Sequence, residues 1–141
     1  MNTTTVTDIG GGTGVSNLCM SCHDGTVAVN SLDNKSSLGP PTMGTGTELD
    51  ATGKIAAARD ANMGIVLSND HPINFTYDAA LATADGALTS PASASLVVAG
   101  IPLYTGSLQC ASCHNPHNNA QGTFLRVSNA GSALCLKCHT K

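Results

Sequence analysis

Hydrophobic positions along this chain fall in short runs broken by Gly, Ser, Thr, Asn and Pro, a pattern that favours turns and irregular backbone over long periodic elements. Ser16 to His23 and Ser132 to His139 each set a serine before a short apolar stretch, as an N-cap before a brief helix does. Asp33 to Gly46, with Gly39-Pro40-Pro41 and further glycines, reads as loop. The Ala-rich run Lys54 to Asn62 predicts a short helix stopped near Gly64. Asn69 to Tyr77 predicts a turn and then an extended strand, because Pro72 keeps a helix from running through it. Asp78 to Ala84 predicts a helical turn closed at Gly86. Leu96 to Tyr104, with β-branched Val97, Val98 and Ile101, predicts extended backbone, and Thr123 to Val127 a second candidate strand.

That pattern leaves little for an ordinary core. The chain has 141 residues, the length of a single domain. It has no Trp, and its aromatic side chains are Phe75, Tyr77, Tyr104 and Phe124 alone. Much of its 41% hydrophobic content is Ala, which buries little area per residue. Side-chain burial alone is not expected to offset the conformational entropy of folding.

Charge narrows the partners. A formal charge of −3 and only six Lys plus Arg provide no basic patch for nucleic acid. No apolar run is long enough to span a bilayer. Met1-Asn2-Thr3-Thr4-Thr5 has neither a charged n-region nor an apolar h-region, so no signal peptide is read there. Asn2, Asn34 and Asn74 begin N-x-S/T sequons, a frequent chance pattern in so Ser- and Thr-rich a chain.

The cysteines change the picture. Cys19-Met20-Ser21-Cys22-His23, Cys110-Ala111-Ser112-Cys113-His114 and Cys135-Leu136-Lys137-Cys138-His139 are three copies of C-x-x-C-H, and they use all six cysteines. The pattern points to covalent haem c, with each pair of thiols bonded to the porphyrin vinyl groups and the adjacent His on the iron. A helical turn suits it, since it sets both cysteines and the histidine on neighbouring positions of one face. Structural zinc, a redox dithiol and a disulfide framework are the competing readings. None of them requires a His directly after the second Cys, yet all three copies have one.

Three porphyrins supply the apolar surface that the side chains lack. The expected fold is therefore mostly irregular coil with a few short helices and strands, wrapped around three covalently bound haems that form the core. Along 1–141, taken as one triheme domain, the first haem falls at 16–24, a loop-rich middle at 30–105 and a paired haem region at 106–141. Covalent haem attachment normally takes place outside the cytoplasm. The chain is accordingly read as a mature or trimmed form, extracellular or periplasmic, whose export signal is missing.

Histidine supply is tighter than cysteine supply. Of five histidines, His23, His114 and His139 are the proximal ligands, which leaves His71 and His117 for three distal positions. His117 lies in His114-Asn115-Pro116-His117 and does not easily reach the far face of the haem that His114 holds, so it is expected on a neighbouring one. His71, in Asp70-His71-Pro72, comes from the long loop. One haem is then short of a His. A Met thioether (Met1, Met20, Met43 or Met63), a deprotonated amine from the N-terminus or a Lys, or an open position completes it. Met20 is the poorest of these because it lies inside its own motif.

Asn17 to Thr26, Ser68 to Pro72 and Cys110 to His117, with Phe124 to Gly131 leading into the last motif, resemble multihaem cytochromes of the cytochrome c3-like, doubled-CxxCH type. Such cytochromes occur in metal- and sulfur-respiring prokaryotes. The resemblance covers most of the chain outside roughly 34–66 and implies a cytochrome c3-like multihaem architecture. Some similar cytochromes polymerise into extracellular filaments that conduct along a continuous haem stack. Those tend to carry a further attachment site and more His upstream, and this chain lacks that portion. It is either a shortened relative or one that has lost an N-terminal part.

Electron transfer without substrate chemistry is the leading expectation, since three haems on 141 residues leave little protein for a substrate pocket. The first motif near one end and the third at the other suit end-to-end assembly into a filament. Expected partners are redox proteins or extracellular electron acceptors, and further copies of the chain. The alternatives are a soluble periplasmic carrier, a haem module docking by its acidic charge onto a larger oxidoreductase, and a reductase or peroxidase-like enzyme at the under-ligated haem. The enzyme lacks spare acid–base groups, with Arg59 and Arg126 the only arginines.

Overall fold

In a computed structural model, which describes residues 14–31, 48–91 and 97–140, most of the backbone is turn and coil. Its regular elements are α1 (Val15–His23), β1 (Phe75–Thr76), α2 (Ala79–Asp85), β2 (Val97–Val98), β3 (Ile101–Pro102), β4 (Ser107–Leu108) and α3 (Cys110–Cys113), followed by 3-10 turns at Ala130–Ser132 and Cys135–Lys137. This is the mostly irregular class that the sequence predicts. The expected loop Asp33 to Gly46, the sequons at Asn2 and Asn34, and Met1 and Met43 lie outside the described residues. Two compact units are distinguishable, one of residues 17–31 and 48–72, the other of 14–16 with 73–91 and 97–140.

In the first unit α1 runs into a turn where the Thr26 N–H and hydroxyl both donate to Asp24 Oδ1, at 2.9 and 2.8 Å. Met20 and Leu67 are its buried apolar side chains. Lys54 to Asn62 does not form the expected helix. Lys54 and Ile55 are drawn into bridges with Ala28 and Leu49. From Ala56 the chain then folds in successive turns, with Arg59 N–H on Ala56 O and Asn62 N–H on Arg59 O, each at 2.9 Å. Asn62 closes the run by donating to Ile55 O and accepting from Gly64 N–H. Alanine's helix preference, a few tenths of a kcal/mol per residue, is too weak to oppose these pairings.

In the second unit β1 pairs antiparallel with β4 (Phe75 opposite Leu108) and β2 with β3 (Val98 opposite Ile101). The strand expected within Asn69 to Tyr77 is therefore present. Leu96 to Tyr104 is not one extended run. It folds back at Ala99-Gly100, where φ is positive at both residues (45° and 88°), as a two-residue I′ hairpin requires. Thr105-Gly106 repeats the device between Tyr104 and Ser107, with φ of 51° and 78°. Ala and Thr rarely adopt this conformation, so neither announces a turn. Helix α2 forms as predicted, with Asp78 Oδ1 accepting from Leu81 N–H at 2.8 Å and left-handed Gly86 donating its N–H to Ala82 O.

Tyr77, Val98, Ile101, Leu103 and Leu108 form a buried cluster, and Phe75, Leu81, Leu88, Val127, Leu134 and Cys138 pack against it. The second unit thus has a side-chain core of its own, where composition implied that haems alone would form one. Its rim brings in Cys138, so the third motif is joined to it directly.

Neither serine expected as an N-cap acts as one. Ser132 lies in a 3-10 turn with φ 62°. Ser16 lies inside α1 and is fully buried, its N–H and hydroxyl both donating to Gln109 Oε1 at 2.8 and 3.0 Å. Cys110 N–H donates in turn to Ser16 Oγ, and Gln109 Nε2 to Asn74 Oδ1. The Asn74 amide is therefore occupied within this network. Gln109→Met removes the shared acceptor and leaves buried Ser16 groups without a partner. The expected cost is about 2 kcal/mol or more, read as a lower urea midpoint of the second unit. An unchanged midpoint would show that the network contributes nothing.

Candidate functional site

All three motifs lie on helical turns, as the sequence predicts. Cys19 and Cys22 are on the last turns of α1, which ends at His23. Cys110 and Cys113 span α3, closed by His114 N–H on Cys110 O at 3.0 Å. The third motif repeats that closure with His139 N–H on Cys135 O at 2.9 Å. None of the six cysteines is in a disulfide, so the disulfide framework does not form.

The imidazoles are set by backbone carbonyls. His23 Nδ1 lies 2.7 Å from Ala61 O, and His114 Nδ1 lies 3.0 Å from Thr123 O. A carbonyl only accepts, so each Nδ1 carries the proton and donates it, and the lone pair is left on Nε2 for a metal. His71 Nδ1 makes the same bond to Pro72 O at 2.8 Å.

The loops that supply these carbonyls also seat the motif backbones. Met63 N–H donates to His23 O at 2.8 Å. In the second motif Asn115 N–H donates to Phe124 O at 2.7 Å and Arg126 N–H to Cys113 O at 2.9 Å. The expected strand Thr123 to Val127 does not form. Thr123 and Phe124 both hold positive φ (45° and 56°), and only Leu125 makes a bridge, to His114. That costly backbone is what turns the Thr123 carbonyl onto the ring. The third motif is strapped to residues behind α2, with Thr89 N–H on Cys138 O (2.7 Å) and Thr140 N–H on Ala87 O (2.9 Å). The Tyr77 hydroxyl donates to Thr89 O at 2.9 Å and toward Cys138 O at 3.4 Å. Burial first, and then the neighbouring Cys138, push this phenol up to about 12, so it stays a donor throughout the neutral range.

Burial pushes the Cys113 thiol up, and the thiols of Cys138, Cys110 and Cys135 add to it, with Arg126 opposing. Sulfurs of the second and third motifs therefore lie within electrostatic reach of one another. Cys138 is pushed up chiefly by burial, against a hydrogen bond from Tyr77. Neutral thiols of this kind disfavour the thiolate chemistry of a redox dithiol. Among the described residues no three His, Cys, Asp or Glu are grouped to hold a bare metal ion. Beside the motifs and their loops stand uncovered apolar side chains: Leu18 (76% exposed), Val27, Ile65, Val66, Phe124 and Leu136. Paired thiols on one turn, an imidazole presenting Nε2 and an apolar flank together fit a covalently attached porphyrin.

Residues 102–141 match the family model for the doubled CXXCH motif. The matched stretch holds the second and third motifs, and it supports a multihaem c-type cytochrome with covalently bound haem c and electron transfer through it. Comparison with curated proteins found no match. No helix of the described residues is long and apolar enough to cross a membrane.

His71 belongs to the first unit, while His117, between the second and third motifs, is exposed in the second, its N–H on Asn115 Oδ1 at 3.1 Å. Met20 is 1% exposed, and its thioether is committed to packing. Met63 is tied to the first motif through its backbone, its N–H donating to His23 O. Sequence reasoning misses Ala61 and Thr123, whose contribution is a carbonyl that every residue has. It also misses Gln109 and the part played by Arg126, whose guanidinium is bound to Ala111 O and the Tyr104 hydroxyl at 2.8 and 3.0 Å.

Proposed function

We propose that the chain is an electron-transfer cytochrome carrying three covalent haem c groups, on Cys19/Cys22, Cys110/Cys113 and Cys135/Cys138. His23, His114 and His139 are its proximal ligands, and His71 and His117 the distal ligands of two haems. The third haem takes its distal ligand from outside the histidines or keeps that position open. Bound haem supplies one-electron chemistry at iron; the protein holds the His23 and His114 rings in one tautomer. The observation that carries the proposal is the repeated clamp, a C-x-x-C helical turn followed by a His whose Nδ1–H is held by a backbone carbonyl, at His23 and again at His114. The second and third attachment turns lie in one unit and within one doubled-motif match, which supports a close pair of haems.

The function proposed has no substrate chemistry, and both arginines are engaged within the protein. Arg59 is paired with Glu48 at 2.6 Å and Arg126 is held by Ala111 and Tyr104. Haem density and the resemblance to filament-forming cytochromes favour an extracellular protein that assembles end to end, with redox proteins or extracellular acceptors as partners. Coexpression with a cytochrome c maturation system, followed by intact mass, tests the count. Three haem increments are expected, and fewer would remove the triheme assignment. Electron microscopy of concentrated holoprotein tests assembly. Discrete monomers would reject the filament and leave electron transfer standing.

A further inference from the structure

Arg126 is bonded to the second motif by backbone and side chain together. Its N–H donates to Cys113 O at 2.9 Å, and its Nε to Ala111 O at 2.8 Å, the carbonyl between the two cysteines. Its Nη2 donates to the Tyr104 hydroxyl at 3.0 Å, and that hydroxyl leans back to Ala111 O at 3.4 Å. The guanidinium is exposed, yet it is held on the C-x-x-C turn of α3 by these bonds. In the first unit Arg59, the arginine there, is paired instead with Glu48 at 2.6 Å. In the second unit the other described Lys or Arg is Lys137, inside the third motif.

We propose that Arg126 is a positioning residue that also tunes the second haem: its guanidinium, anchored on Ala111 and Tyr104, holds that haem at a higher reduction potential than a site without the charge. The inference rests on the electron-transfer function proposed above. When the iron takes up one electron its charge falls by one, so a fixed cation nearby stabilises the reduced form. Nothing else is gained or lost in the step. A raised second haem makes it the place where an electron entering the chain comes to rest.

The test is a spectroelectrochemical titration of holoprotein, with midpoints assigned from paramagnetic NMR of the haem methyls. Arg126→Gln is expected to lower the midpoint of the second haem, changing its reduced-to-oxidised ratio at fixed potential about three- to tenfold, with a smaller shift in the third haem. Arg126→Lys keeps the charge and Tyr104→Phe keeps the guanidinium, and both are expected to stay near the parent midpoint. Equal shifts in Arg126→Gln and Arg126→Lys, or no shift in either, would overturn the proposal, since a merely structural role depends on the fork and not the charge. If Arg126→Gln yields no holoprotein, Arg126→Lys decides: a parent-like midpoint supports the charge and a lowered one rejects it. A parent protein that shows no haem absorption would instead defeat the electron-transfer function itself.

Discussion

Cys135→Ala with Cys138→Ala is expected to give a holoprotein one haem lighter, with its Soret absorbance reduced by about one third and the first two haems retained. The loss stays local because the second motif is held by Thr123, Phe124, Arg126 and Tyr104, none of which belongs to the third motif. It is not silent for the neighbour. With the charge of a neighbouring haem removed from the same unit, the second haem should titrate at a shifted midpoint. Stability falls as well, because Cys138 packs on the core and Leu136, already 55% exposed, loses its cover. Intact mass and a redox titration check both statements. Loss of every haem would mean that the sites are not independent, and loss of none would deny the third attachment.

Ile101→Ala carries the second large effect. Ile101 is 1% exposed and sits in β3 opposite Val98, which is fully buried. Removing three buried carbons leaves a cavity and costs about 2–5 kcal/mol. A domain of this size has roughly 5–15 kcal/mol in total, so the melting temperature should fall by on the order of 10 °C or more. The third motif should loosen first, since Leu134 and Cys138 pack on this cluster and Tyr77 bonds toward the Cys138 carbonyl. Far-UV and Soret dichroism recorded together during a melt would show it. A melt within a few degrees of the parent would mean that the haems, and not these side chains, hold the second unit.

The elements legible in the sequence are those whose residues act through their own side chains or their own backbone limits. Asp78 and Gly86 bracket α2 as written, and the three C-x-x-C-H turns follow from chemistry that needs that spacing. What stayed hidden depends on partners far along the chain. Ser16 has the profile of a cap but is claimed by Gln109, 93 residues away. Lys54 to Asn62 has helix-forming alanines, yet Ala28 and Leu49 take its first residues into bridges. Thr123 to Val127 reads as a candidate strand, and left-handed Thr123 and Phe124 break it. At the site, the cysteines and proximal histidines were visible, while the carbonyls that orient the rings were not, because a carbonyl has no residue type.

The two ring clamps differ in reach. Ala61 lies 38 residues from His23, whereas Thr123 lies only 9 from His114. Closing the longer loop costs about 1 kcal/mol more in chain entropy. Before any haem arrives, the imidazole of His114 is therefore the better ordered of the two, and that of His23 samples other orientations more often. During maturation the second site offers a nearly finished seat, while the first is completed largely by the haem it captures.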